Sequence, residues 1–398
     1  MGLKALVIGG GGREHALVWK LAQSPTVEKI YASPGNPGIA NIAECVPGAD
    51  WLAVPADLTV VGPEAPLVGG VVDRFRAAGR KIIGPTAAAA RLEGSKAFSK
   101  QFMTGAGIPT GRAHTALDSV SARSHIGDFG YPVVLKADGL AAGKGVIIAP
   151  NEAEALAALE RLPAGPVVIE EFLQGEEVSF IALADGERFW PMEATQDHKT
   201  IGDGDTGPNT GGMGAYCDGR IINKTETAHI LDTVVRPALA AMVDAGTPYT
   251  GFLYAGLMMT ADGPRVLEFN ARLGDPETQA LMHRLDSDLA ATLLDGEPFR
   301  WKPDPTVCVV MAADGYPGEV RTGDVIEGID TCGASVFHAG TRIGERGLET
   351  AGGRVLGVTA SGPDLQRAID RAYWGVTGIR FDGMQYRKDI ARKGLKRW

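Results

Sequence analysis

The sequence predicts a multidomain protein of mixed α/β and α+β class. It begins with a doubly wound parallel-sheet domain, continues into a central unit of two lobes, and ends in a small α+β domain. Three observations carry this. Residues 3–8 form an apolar strand that enters a turn of four glycines at 9–12 and then a helix over 15–23, the repeating unit of a doubly wound sheet. Residues 133–136 and 146–149 are short β-branched runs on either side of Ala-Asp-Gly-Leu-Ala-Ala-Gly-Lys-Gly, which makes them a glycine hairpin. From Trp301 onward, strands at 307–311, 335–338 and 354–359 precede a helix over 364–374.

Composition narrows the class. A chain of 398 residues holds two to four domains with real cores, and 44% hydrophobic against 22% charged residues is ordinary for a soluble enzyme. The net charge of −9 disfavours nonspecific nucleic-acid binding, so an anionic ligand needs local cations and N–H groups. Cys45, Cys217, Cys308 and Cys332 are far apart without a C-x-x-C pair, which argues against a zinc site or a disulfide framework. No apolar run reaches about 18 residues, and the chain enters a strand at once. The expectation is a cytoplasmic monomer acting on small molecules, with no membrane or nucleic-acid partner.

In the first domain, residues 1–92, further strands are expected at 29–32, 58–61 and 81–84, with a helix over 67–78. The glycine turn resembles a dinucleotide fingerprint, but Glu14 stands where Gly or Ala is required, and no acidic residue follows the second strand. A phosphate-bearing ligand and a purely structural turn both fit it. Glu64 lies in Gly-Pro-Glu-Ala-Pro just past a strand's carboxyl end, where open α/β sheets bind ligands.

The central unit, residues 93–300, opens with Ser95 capping a helix to about residue 104. The glycine hairpin that follows is not a P-loop. Gly139 and Gly143 have only three residues between them, Gly145 rather than Ser or Thr follows Lys144, and the loop returns into a strand. It reads as a flap able to fold over phosphates, within a lobe spanning about 113–173. A helix over 150–162 and a strand at 167–170 lead to Glu171-Phe172-Leu173-Gln174-Gly175, a break suited to a hinge, and strands follow at 178–183 and 189–192. Residues 197–216 hold six glycines, a proline and three aspartates, which argue against regular structure and for a functional loop. A helix over 225–245 is expected to kink at Pro237. In the hairpin 251–259/264–270, strand alternation puts Glu268 and Asn270 on one face and Phe269 on the other. Two hard oxygens at that spacing suit Mg²⁺, which takes few protein ligands and completes its shell with phosphate oxygens. The basic tail, with Arg387, Lys388, Arg392, Lys393, Lys396 and Arg397, reads as a solvated end.

Together the flap, the hinge and the Glu-x-Asn strand end resemble the ATP-grasp superfamily. Gly-Gly-Arg-Glu-His-Ala (11–16), Val-Gly-Pro-Glu-Ala-Pro (61–66) and Leu-Glu-Gly-Ser-Lys-Ala-Phe (92–98) are similar to its phosphoribosylamine–glycine ligase family. So are 136–145, 196–216 and Glu-Phe-Asn-Ala-Arg-Leu-Gly-Asp-Pro-Glu-Thr-Gln (268–279). The resemblance implies a central ATP-grasp fold and ligation of glycine to 5-phosphoribosylamine with ATP and Mg²⁺ or Mn²⁺, through a glycyl phosphate. The alternative is another ATP-grasp carboxylate–amine ligase. It further implies that Lys96 and Lys136 contact ATP phosphates under the backbone of Gly139, Gly143, Lys144 and Gly145. Glu170, Glu171, Phe172 and Leu173 would meet adenine, Glu177 the ribose, and Glu268 and Asn270 the metal. Arg272, Lys136 and Asp275 would be catalytic, with Asp275 also taking the glycine amino group. Gly12, Arg13, Glu64 and Arg354 would surround phosphoribosylamine, and Asn209, Thr210 and Gly211 would be substrate-binding. Two departures stand out: 45–56, with Pro47, Gly48 and Pro55, replaces the family's helical crossover, and 162–167 is short.

Overall fold

The computed structural model describes residues 2–140 and 145–398. Among them, the N-terminal strands form a parallel sheet in the order Glu44–Cys45, Val27–Pro34, Leu3–Gly9, Leu58–Val61, Ile82–Ile83. Strand order reverses at Leu3–Gly9, so the glycine turn and Glu64 both sit at the switch point where such sheets bind ligands. The edge strand Glu44–Cys45 adds to the four expected from sequence. Past it, the crossover needs no helix. Arg80 donates to the carbonyls of Leu52 (2.9 Å), Val54 (2.7 Å) and Ala56 (2.7 Å), and Val54 and Ala56 pack with Leu6, Ile8 and Phe75. The helix expected over 67–78 is two helices, Glu64–Val68 and Val71–Ala77, because Gly69-Gly70 breaks it and Gly70 takes the left-handed conformation at φ 78°.

The central sheet is antiparallel, in the order Gly263–Asn270, Thr250–Thr260, Glu176–Asp185, Thr195–Asp197, Gly214–Cys217, Thr306–Ala312, Arg354–Ser361, Ser335–His338. Its last three strands come from the C-terminal hundred residues, so one sheet runs through both parts of the chain. The flap lobe is a separate antiparallel sheet, Ala113–Ala116, Val167–Glu171, Val133–Ala137, Val146–Ala149, with helix Glu152–Arg161 packed on it. Pro237 is absorbed by a π-turn, Leu231–Val235, between helices Lys224–Ile230 and Arg236–Asp244: the wider turn accommodates the missing N–H.

Two expectations are corrected. Residues 197–216 are not irregular: short strands Thr200–Gly202 and Thr206–Asn209 pair as a hairpin, and Gly214–Cys217 joins the central sheet. Their glycines supply tight turns and close approaches, with Gly204, Gly207, Gly212 and Gly214 all at positive φ. The basic tail is not a solvated end. Arg387 is only 1% exposed, and Lys393, Lys396 and Arg397 reach back to Asp197 and Glu176.

Candidate active site

A cavity of about 620 Å³ opens between the flap lobe, the central sheet, the first domain and the C-terminal strands. On the flap side it is lined by Lys136, Gly139 and Gly145, with Leu140, Val146 and Ile148 offering apolar contact. Gly143 and Lys144 lie outside the described residues. The hinge residues Glu170, Glu171, Phe172 and Leu173 border the same space. The side chains of the two hinge glutamates are committed elsewhere. The buried Glu170 carboxylate is 3.0 Å from both Lys100 Nζ and Lys136 Nζ, and Glu171 accepts from Arg112 N and Nε, each at 2.8 Å. This leaves backbone and Phe172 for a ligand.

Ser95 caps helix Lys96–Gly105 by accepting from Phe98 N at 3.1 Å, which fixes the direction of its first turn. Lys96 Nζ there donates to the Gly139 carbonyl at 2.7 Å, and Lys100, one turn on, lines the same cavity. Sequence reasoning passed over Lys100, although i, i+4 spacing from Lys96 marks it as a neighbour on the helix face. Burial, reinforced by nearby Lys136, lowers the pKa of both lysines despite Glu268 beside Lys96 and Glu170 beside Lys100. Lys96, Lys100 and Lys136 thus form a local cluster of cations at the flap end of a cavity that carboxylates also line.

At the far end, strand Gly263–Asn270 buries Phe269 and turns Glu268 and Asn270 into the cavity, as alternation predicts. Asn270 Nδ2 is 3.5 Å from Glu268 Oε1. Burial pushes the Glu268 carboxyl upward, but Lys199, Lys136, Arg272 and Lys96 outweigh it and hold the pKa below the usual value. Among the described residues, no cluster of three or more His, Cys, Asp or Glu forms a metal cage. An ionised carboxylate beside an amide oxygen, facing the cavity, fits a hard divalent ion that takes its remaining oxygens from phosphate. Glu177, expected at a ribose, is ion-paired with Lys199, whose Nζ is also 3.8 Å from Glu268. Lys199 is a site residue that sequence reasoning missed. Burial would depress its pKa, yet Glu177, Tyr254, Glu268 and Asp197 raise it well above the ordinary value, so it stays charged.

The chain after Asn270 knits the first domain to the site. Ala271 N donates to Glu93 at 2.7 Å, while Arg272 Nη2 lies 2.8 Å from Glu93 and its Nε 3.4 Å from Glu64. Burial works against Glu64 ionising, but Arg272 and then Arg13 keep its pKa low. Arg13 donates to the Leu273 carbonyl at 3.1 Å and pairs with Glu14 at 2.6 Å. Glu14 also accepts from Gly11 N at 2.6 Å, so a carboxylate closes the glycine turn where a dinucleotide would need it open. Gly12 does not line the cavity; a side chain there would meet Gln279 Nε2 at 2.5 Å, the group that donates to Asp275 at 2.8 Å. Asp275 is further held by Arg354 (3.5 Å) and Arg13 N (3.4 Å), and these contacts outweigh burial to lower its pKa. Arg354 also donates to the carbonyls of Asp275 and Gly211, both at 2.5 Å, and Gly211 N meets Tyr316 at 2.9 Å. Asn209, Thr210 and Gly211 border the cavity beside them. Lysines, a metal-ready tip and an acid–guanidinium cluster thus share one enclosure, an arrangement suited to phosphoryl transfer onto a small carboxylate.

Comparison with known proteins agrees over the whole chain. Models of the phosphoribosylglycinamide synthetase N domain, ATP-grasp (A) domain and C domain match residues 3–93, 94–278 and 306–393. The phosphoribosylamine–glycine ligases of Pseudomonas aeruginosa and Escherichia coli are 48% and 49% identical to it, each covering 99% of both chains. The crystal structure of phosphoribosylamine–glycine ligase from Thermotoga maritima superposes with a TM-score of 0.87 at 33% identity, covering 97% of this chain and all of that one. The chain belongs to the phosphoribosylglycinamide synthetase family.

Proposed function

We propose that this enzyme, an ATP-dependent carbon–nitrogen ligase of purine biosynthesis, joins glycine to 5-phosphoribosylamine through the residues of the 620 Å³ cavity. A glycine carboxylate oxygen attacks the γ-phosphorus, the bond to the ADP oxygen breaks, and glycyl phosphate forms. The amine of phosphoribosylamine then attacks the glycyl carbon, inorganic phosphate leaves, and the amine loses a proton. The observation that carries this reading is the meeting, in one cavity, of Lys96, Lys100 and Lys136 with the Glu268–Asn270 tip.

The protein's contribution is positioning and charge neutralisation, because phosphoryl transfer asks little covalent help. The three lysines receive the triphosphate under the flap, whose backbone at Gly139 and Gly145 closes over it and excludes water from the acyl phosphate. Adenine lies against the hinge backbone of 170–173 and the ribose near Glu177. Arg272 faces the charge that develops at the reacting carboxylate, and Asp275 receives the glycine ammonium. Arg13, Glu64, Arg354 and residues 209–211 surround phosphoribosylamine, with Gly12 keeping room for Gln279 behind them. Glu268 and Asn270 would hold Mg²⁺ or Mn²⁺, which neutralises phosphate charge when bound. In this reading the chain divides at 92/93 and 300/301, carries its flap lobe at about 113–173, and works as a cytoplasmic monomer.

Phosphate release from ATP should require glycine and phosphoribosylamine together. Glu268→Ala should lower kcat by about 10³-fold or more while the variant keeps its circular dichroism spectrum. ATP cleavage that ignores glycine, or an active Glu268→Ala variant, contradicts the proposal.

A further inference from the structure

No residue from Arg387 to Trp398 lines the cavity, yet the tail lies directly behind the segment that carries Asp197 and Lys199. Where the chain links strand Thr195–Asp197 to strand Thr200–Gly202, Asp197 and Lys199 line the cavity while His198 and Thr200 meet the tail. The tail meets them residue by residue. Lys393 Nζ donates to the Asp197 carbonyl at 3.2 Å, and Ala391 N donates to His198 Nε2 at 3.3 Å. Arg387 Nη1 donates to Thr200 O (3.2 Å), Thr200 Oγ1 (2.9 Å) and Asp205 (2.9 Å). On the opposite edge, the Lys199 carbonyl accepts from Thr210 N and Oγ1, both at 2.7 Å. Burial, then Lys393 and Arg387, drop the His198 pKa to about 3, so its ring stays neutral and Nε2 stays an acceptor.

Arg387 is the keystone. Its guanidinium is fully buried and its remaining donors are taken by Asp389, at 2.8 and 2.7 Å. Asp389 in turn accepts from Gly204 N at 2.9 Å, and Lys388 N donates to Asp203 at 2.7 Å, so the 200–209 hairpin is fixed at its turn as well. A planar fork serving two carboxylates and a backbone carbonyl is a geometry lysine cannot reproduce.

We infer that Arg387, with Lys393, is a positioning residue: it sets the reach of Lys199 and Asp197 into the cavity from behind. The inference rests on the proposed reading of the cavity and adds to it that Lys199, which lines the cavity 3.8 Å from Glu268, acts on the bound reactants; misplacement of such a group by about 1 Å is enough to cost about 100-fold in rate.

The test compares Arg387→Gln, Arg387→Lys and Lys393→Met with wild type, at a temperature where circular dichroism shows each folded. The expected result for Arg387→Gln is a kcat lowered about 10–100-fold with the Kd of a fluorescent ADP analogue unchanged within about threefold. Arg387→Lys should recover part of the loss. Lys393→Met, whose nitrogen makes a single backbone contact, should lose about 3–10-fold and keep its melting temperature. Wild-type kcat in both folded Arg387→Gln and Lys393→Met overturns the inference. So does nucleotide affinity falling in step with kcat, which indicates general loosening. Lys199→Met separates the levels: if it is fully active, the added role of Lys199 fails while the reading of the cavity, tested by Glu268→Ala, stands; if it is inactive while Arg387→Gln is normal, only the role of the tail fails.

Discussion

Two glycine-rich stretches border the same cavity, and they use glycine for opposite purposes. In the flap, Gly139 has φ 90° and a side chain there would meet nothing within 4 Å among the described residues. In the 197–216 segment, a side chain on Gly212 would lie 2.6 Å from Pro276 and 2.8 Å from Asp197, and one on Gly214 would lie 2.7 Å from the Cys308 carbonyl. The first stretch needs a backbone free to take an unusual turn in open space. The second needs backbones that can touch, because sheet, tail and cavity wall converge on it. Glycine count says that a stretch is unusual; only its surroundings say whether it is open or crowded.

The sharpest way to break this contrast is Gly212→Ala. Strain at φ 110° added to the clash should destabilise the protein by about 2–4 kcal/mol and lower kcat/KM about 100-fold, measured by urea unfolding and steady-state kinetics. A second effect concerns the lysines under the flap. The pKa values of Lys96 and Lys100 are lowered, by burial first, so each loses its charge at a lower pH than an ordinary lysine. Triphosphate binding favours the charged forms. Affinity for ATP should therefore fall as pH rises through the lowered values, before the ordinary lysine range of about 10.4. Lys96→Arg, which keeps its charge, should flatten that alkaline fall in a calorimetric titration. The smallest effect is Gly139→Ala: with no clash among the described residues, backbone strain of about 1–2 kcal/mol opposes it, and it should appear as a KM for ATP raised a few-fold with stability lowered by no more than that strain.

Much of the site was legible in the sequence because local rules place it. Period-two alternation aims Glu268 and Asn270, the serine cap sets Lys96, and the carboxyl end of a parallel strand presents Glu64. What escaped is what depends on partners distant in the chain. Lys199 becomes a site residue only because Glu177 and Glu268 flank it, and Glu93 only because Arg272 and Ala271 N reach it. The tail looked solvated because charge alone does not reveal that Asp205 and Glu176 await it. The crossover at 45–56 needed no helix once Arg80 satisfied its carbonyls, and no local pattern marks that substitution.

The central sheet has a consequence for how the protein is made. Gly214–Cys217 pairs on one side with Thr195–Asp197 and on the other with Thr306–Ala312, which emerges about ninety residues later. Until the ribosome has delivered that later strand, the nascent chain carries a bare sheet edge of the kind that recruits other chains. The first domain can fold as soon as it is synthesised, but the sheet must wait for almost the whole message. Chains released early therefore leave the ribosome with an adhesive seam, which favours clearance or aggregation over idle half-enzymes.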